Sequence, residues 1–479
     1  MKLHFTKNEM DAVPLDGHSS AERAQFVCLM VIALVELLFF LLEDRNNGIT
    51  WYLLERYAVV PAMIFLGTAH SRNLSREAKH MLALSAAMLV WFFFIQVVRR
   101  LQGFEKQELG IFFCTYGMLL PFAAVTGDEN RQRGLKLFGA LFLAVGVLLV
   151  GYAALLIGGR VPGYLQDHVF WDGTRFYAMG HPNRCAAILL ISTAFSMGFS
   201  FRVRNRWAKT LLVVWSGVQF AAISITNGRT TIIFVCMLLG GIAFCALRRP
   251  GWKRVLAALL VAIMVMCALF VAYQAIADMN KSHLKQMLAS EQKTNTQSVA
   301  AQGSGENDAS TDVNNSHLKQ TEAPEQKINM RSVSGQGSWE NDMRSLNGRT
   351  KIWAAALEGL ENNPQIKFVG TDYVALIVSQ YGPAVPHTHN SWLEVLYQRG
   401  IPGLALALVI TVIAVWNAAV VLWRNTDLWK SCIALLVLCL LGCSMLEPYL
   451  FTSVVGYHYF DMLFMLCVGY LYLWGKQKS

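Results

Sequence analysis

Charge is what this sequence has least of: Asp, Glu, Lys and Arg make up 15% of its 479 residues, against 54% hydrophobic. A soluble chain of that length carries more charge than this. A mean hydropathy of +0.39 fits a protein that spans a membrane several times. The cysteine patterns of secreted and zinc-binding domains are also missing. The ten cysteines lie in or beside apolar runs and none falls in the long polar segment. That excludes a disulfide framework and a paired-cysteine zinc site. The polar start, to about Ala24, carries no signal-peptide pattern, and no A-x-A site follows the first apolar run, which reads as a retained helix. Lys and Arg outnumber Asp and Glu by 41 to 31. Their placement in short loops argues for membrane topology and against nucleic acid.

What is present is a series of apolar windows of roughly 17–25 residues, the length that crosses a bilayer. They fall near 26–42, 50–69, 80–98, 110–126, 135–157, 185–201, 207–225, 230–247, 255–276, 401–423, 431–446 and 454–474. The reading is an all-α integral membrane protein of about twelve transmembrane helices. Basic residues cluster in alternate loops, such as Arg202, Arg204, Arg206 and Lys209, or Arg248, Arg249, Lys253 and Arg254. Arg99, Arg100 and Lys106 go against the trend, but the bias places both termini in the cytoplasm. The organisation expected is a cytoplasmic segment at 1–25 and nine spans over 26–276, with an outer loop near 158–184. A large outer loop at 277–400 follows, then three spans and a short tail at 401–479.

The large loop holds a tandem repeat. Residues 280–308 recur as 314–342, at an offset of about 34 and with roughly two-thirds of positions matching. Two polar copies without aromatic packing positions cannot bury a core. Their Gln, Ser, Asn and Gly content suggests partial disorder, and no chemistry attaches to them.

Chemistry-bearing residues gather on the outward side. Val385-Pro-His387-Thr-His389-Asn390-Ser-Trp-Leu-Glu394 closes the loop. Ser391 and Glu394 have the spacing of a capping box. A short surface helix is expected from Ser391 to near Gly400, with Pro402 in the first turn of the next span. His389 then precedes a helix N-terminus, whose dipole disfavours an imidazolium. A neutral imidazole there suits a general base; the plain alternative is a surface loop with two ordinary histidines. Asn227-Gly-Arg229-Thr and Asn347-Gly-Arg349-Thr place two arginines at outer boundaries. Guanidinium forks bind phosphate oxygens in pairs, so the two could cradle a diphosphate. Equally, Arg229 could snorkel at a helix end and Arg349 could cap a loop helix. Tyr177-Ala-Met-Gly-His181-Pro-Asn183-Arg184 adds polar groups on the same side, with Arg160 and Arg175 as further positive charge. His-x-His lacks the nearby ligands that a metal needs, so no metal and no cofactor is expected. Glu36, His458 and Asp461 are intramembrane ionisable residues without a relay pattern, read as helix–helix hydrogen-bonding groups.

These outward motifs, in this order, resemble the superfamily of O-antigen ligases and polymerases, bacterial membrane glycosyltransferases. The residues that carry the likeness are Ile225-Thr-Asn-Gly-Arg229-Thr-Thr-Ile-Ile, Gly348-Arg349-Thr-Lys-Ile-Trp353 before Asn363-Pro364 and Gly370, and His389-Asn390-Ser-Trp-Leu393-Glu394 before Gly400-Ile-Pro-Gly403. Gly-His181-Pro-Asn183 also fits. The likeness runs from about Thr174 to Trp423 and departs at the duplicated insert. It implies a GT-C-like, metal-independent transferase of the inner membrane with a periplasmic active site. The donor implied is a glycan on undecaprenyl diphosphate, and the acceptor is lipid A–core or another glycan. By the same likeness His389 is the catalytic base and Arg229 and Arg349 bind the diphosphate. His387, Asn390, Glu394, Arg175, His181 and Asn183 support them. Ligation to lipid A–core is the favoured activity and polymerisation of carrier-linked glycan the alternative. A flippase would show inverted repeats and midplane charges. A non-catalytic scaffold would tolerate loss of His389.

Overall fold

The computed structural model describes residues 76–100, 128–166, 169–172, 175–178, 181–248, 252–303, 348–371, 373–382, 385, 387–424, 427–452 and 458–476. The expected spans near 26–42, 50–69 and 110–126, Glu36 and the second repeat copy lie outside these residues.

Backbone in hydrocarbon must satisfy its own hydrogen bonds, so the apolar windows become helices. They are α1 (Arg76–Arg100), α2 (Asp128–Ile157), α3 (Pro182–Arg202), α4 (Arg206–Thr226), α5 (Arg229–Leu247) and α6 (Trp252–Gly303). After the long polar segment come the shorter α7 (Arg349–Asn362), α8 (Ile366–Val369) and α9 (Val374–Tyr381). Three apolar helices close the chain: α10 (Ser391–Arg424), α11 (Leu428–Ser444) and α12 (His458–Lys476). Six of the described helices are long and apolar enough to cross a membrane. The protein is a mostly helical membrane protein. A two-stranded ribbon, β1 (Phe170–Asp172) with β2 (Arg175–Tyr177), sits between α2 and α3.

Helix α3 is central, buried along most of its length and packed against α2, α4 and α11. Close approach comes from small residues, and polar side chains fix the register. Gln219 of α4 donates from Nε2 to Ser192 Oγ at 2.6 Å and accepts from Thr193 Oγ1 at 3.2 Å. A second, smaller core joins α7, α8 and α9 through Ile352, Ala356, Leu360, Ile366, Val378 and Tyr397. This core carries the loop that ends at His389.

Two boundaries differ from the sequence expectation. Helix α6 does not stop near Ile276 but runs to Gly303, so the described part of the first repeat copy is helical rather than disordered. Between Ala277 and Gly303 the chain has no proline and no glycine, and many Ala, Gln, Lys, Leu and Met residues, so nothing local breaks the helix. The other concerns the capping box. Asn390, not Ser391, is the cap: its Oδ1 accepts from the Trp392 and Leu393 amides at 2.9 and 3.1 Å. Ser391 is already helical and turns inward.

The break at Gly400 is where the sequence puts it. Its φ of 67° falls in the left-handed region, and 391–399 and 401–424 form two helical arms across it, with Pro402 at the start of the second. A Cβ at Gly400 would collide with the Phe368 carbonyl. Gly400→Ala should therefore cost about 1–2 kcal/mol for the backbone conformation and about 1–3 kcal/mol more for displaced packing. A thermal unfolding midpoint equal to wild type would contradict this.

Candidate functional site

The site is assembled around a carboxylate that the motifs do not include. Glu447 lies in the short connection from α11 to α12, and its side chain is 1% exposed. A buried charge must be paired and hydrogen-bonded to persist. Glu447 Oε1 accepts from Arg349 Nη2, in an ion pair, and from Asn183 Nδ2 at 2.6 Å. Its other oxygen, Oε2, lies 3.4 Å from His389 Nδ1. Burial pushes the carboxyl pKa upward. The hydrogen bond and charge of His389, then Arg349, more than offset this and hold it down at about 2. The group is ionised and can only accept, so the ring proton of His389 belongs on Nδ1. A neutral ring in that tautomer carries its lone pair on Nε2.

Each partner is held by its own support. Arg349 is the first residue of α7, after Gly348, and is 8% exposed. Asn183 is gripped by Arg175 of β2, whose Nη2 donates to Asn183 Oδ1 at 2.6 Å. Arg175 Nε reaches the Thr226 carbonyl at 3.2 Å. That bond joins the ribbon to the end of α4, in the turn that leads to Arg229. Tyr449 donates to the Asn183 carbonyl at 2.9 Å, and Ser391 Oγ donates to the Glu447 carbonyl at the same distance. The Glu447 backbone is thereby locked between α3 and α10.

His389 adopts a left-handed φ of 52°, uncommon for a residue with a side chain. The flanking bonds explain how it is kept there. Glu394 Oε2 accepts from both the amide and the hydroxyl of Thr388, at 2.9 and 2.8 Å. Trp353 Nε1 donates to the Thr388 carbonyl at 3.1 Å, and Asn390 Nδ2 donates to the Met445 carbonyl at 2.9 Å. Glu394 is therefore a positioning residue for the loop. The His387 ring stands 4.2 Å from the His389 ring, edge to face, and its Nδ1 accepts the His389 amide at 3.3 Å.

Of the residues predicted from sequence, the structure gathers His389, Arg349, Asn183 and Arg175 about Glu447, with His387 and His181 alongside. Arg229 is different. It opens α5 with its side chain exposed, and its guanidinium has no ion-pair partner among the described residues. Arg349, by contrast, is already committed to Glu447. Arg160 is exposed and outside this network. Asp461 proves structural: Oδ1 accepts the Phe451 amide at 2.5 Å and so shapes the connection that carries Glu447. Sequence reasoning missed Glu447. The available signal was a lone acidic residue between the last two apolar windows, where a carboxylate is costly unless used. No group of three or more His, Cys, Asp and Glu residues fit for a metal occurs among the described residues.

Burial holds the two neighbouring imidazoles, His387 and His181, in the neutral form. Burial, helped by His389, outweighs Glu447 and holds His387 at about 3. Burial also dominates at His181, where Glu447 opposes and Arg175 assists, leaving it at about 4. His181 Nδ1 caps α3 by accepting the Asn183 amide at 3.2 Å, a role that protonation would cancel. Both folded pKa values lie below the ordinary 6.5. The folded state thus binds fewer protons than the unfolded one between those limits. Stability is complete above pH 6.5 and declines as pH falls, by up to about 1.4 kcal/mol per pH unit for each ring. The thermal midpoint should be clearly lower at pH 5 than at pH 7.5. His387→Asn, which can still accept the amide bond, should shrink that difference; an unchanged difference would contradict the assignment.

Comparison with known families places this geometry. Residues 211–408 match the model of a family described as O-antigen ligase, a stretch that includes Arg229, Arg349 and His389. No curated protein matches the chain. The match takes in both arginines and the histidine, and over these residues the chain is similar to the O-antigen ligase family.

Proposed function

We propose that the protein is an O-antigen ligase. It transfers polysaccharide from undecaprenyl diphosphate to a lipid A–core acceptor at the outer face of the inner membrane, without a metal. The observation that carries this reading is Glu447, ion-paired with Arg349 and 3.4 Å from His389 Nδ1, with Arg229 exposed at the start of α5. An acceptor hydroxyl oxygen attacks the anomeric carbon of the carrier-linked sugar. The bond from that carbon to the diphosphate oxygen breaks, and the diphosphate leaves with the electron pair. The hydroxyl proton passes to His389 Nε2, and Glu447 stabilises the imidazolium through Nδ1. Diphosphate is already a good leaving group, so fixed guanidinium charge can take the place of a metal. Arg229, exposed at the start of α5, makes the main contact with the diphosphate. Arg349, held by its ion pair with Glu447, adds a second, fixed guanidinium.

The test is reconstitution in vesicles with labelled undecaprenyl-diphosphate glycan and lipid A–core. Carrier release with one addition to lipid A–core is the expected result. A ladder of lengthening carrier-linked glycan would replace ligation with polymerisation. Neither product, under conditions where a known ligase is active, would overturn the enzyme reading.

A further inference from the structure

We infer that the segment 366–376 is a lipid-facing anchor that sinks the His389 loop into the outer bilayer leaflet. Three large apolar side chains within nine residues are exposed: Phe368 at 64%, Tyr373 at 57% and Leu376 at 58%. They are not misplaced core. Ile366, Val374 and Val378, from the same short helices, are the ones that pack inward on α7. The outward set is therefore a second apolar face, with an occupant still to be named.

The height of the segment names it. The Phe368 carbonyl lies against Gly400, and the Thr371 amide donates to the Tyr397 carbonyl at 2.6 Å. Helix α8 touches α1 as well as α10. On the α1 side, Trp91 Nε1 donates to the Arg399 carbonyl at 3.0 Å, and the Arg399 guanidinium sits 4.9 Å from the centre of the Phe92 ring. Trp91 is nine residues short of the end of α1 at Arg100. At 1.5 Å per residue that is about 13 Å inside the helix end. Residues docked at Gly400 thus lie level with the shaft of an apolar helix, not beyond its tip. Side chains exposed at that height meet lipid, as do Val412 (67% exposed) and Leu408 (46%) on α10. Aromatic residues such as Phe368 and Tyr373 with a nearby Lys367 have the composition of a membrane-interface contact.

The consequence for the loop is mechanical. Gly400, eleven residues after His389, is fixed against a segment held by lipid, so the depth of the whole loop is fixed too. The inference concerns lipid contact alone and holds whether or not the proposed transfer reaction does.

The test uses the full chain in vesicles of phosphatidylethanolamine and phosphatidylglycerol. A photoreactive benzoylphenylalanine replaces Phe368 or Leu376 in separate samples. Val412 serves as the lipid-facing control and Glu361, on the polar side of α7, as the water-facing one. Lipid-mass adducts at 368 and 376 are expected at least several-fold above those at 361 and within a few-fold of those at 412. Adducts at 368 and 376 no greater than at 361, or crosslinks to a second copy of the chain instead of lipid, would overturn the inference. Because the readout is adduct mass, an inactive enzyme would not affect it, and failure here leaves the reaction test untouched.

Discussion

His389→Ala is expected to lower the rate of glycan transfer by about 10²–10⁴-fold, the usual contribution of a positioned base. The loss should fall on kcat, with donor binding close to wild type, because the ring faces the acceptor proton rather than the diphosphate. The stability cost should be small. His389 is partly exposed, with a side chain 22% accessible, and its removal leaves Glu447 still bound to Arg349 and Asn183. The measurement is steady-state transfer in the reconstituted system with a parallel unfolding scan. A raised KM at unchanged kcat would remove His389 from the chemistry and make it a binding residue.

Glu447 should give the second large effect, and of a different kind. Glu447→Ala removes the acceptor for Arg349, Asn183 and His389 together and leaves a guanidinium buried without a partner. Breaking a buried pair from one side costs about 3–5 kcal/mol. Both stability and transfer should collapse. Glu447→Gln separates the two roles, since its amide oxygen can still take the Asn183 bond while the charge is gone. It should fold better than the alanine variant yet remain slow in transfer. Arg349→Met combined with Glu447→Gln should be less damaging to stability than the sum of the single changes, because neither member is then an orphan. Additive losses would show that Arg349 and Glu447 do not act as a pair.

Much of this site was legible before any coordinates. The hydropathy windows gave the described membrane helices. The Ser391–Gly400 stretch read correctly as a short helix ended by a glycine, and His389 was rightly set just ahead of it. Each of these depends on residues within a turn or two of one another, where backbone sterics and hydrophobic burial act directly. The errors are equally physical. The capping box at Ser391 fit the spacing, but Asn390 is the better-placed acceptor, and the Ser391 hydroxyl was claimed by the Glu447 connection. Helix α6 outran its apolar window because the polar residues beyond it are good helix formers.

The sequence by itself determined that this chain lives in a membrane, where most of its described helices run, and that Arg229, Arg349 and His389 fall within the stretch similar to the O-antigen ligase family. Only the tertiary structure decided what those residues do to one another. Glu447 is 58 residues from His389, 98 from Arg349 and 264 from Asn183. No local propensity can express a bond across such separations. A buried carboxylate takes the cations and amides that packing brings to it, and packing is settled by the whole helix assembly. That is why Arg349 is found ion-paired with Glu447, while Arg229 has its side chain exposed.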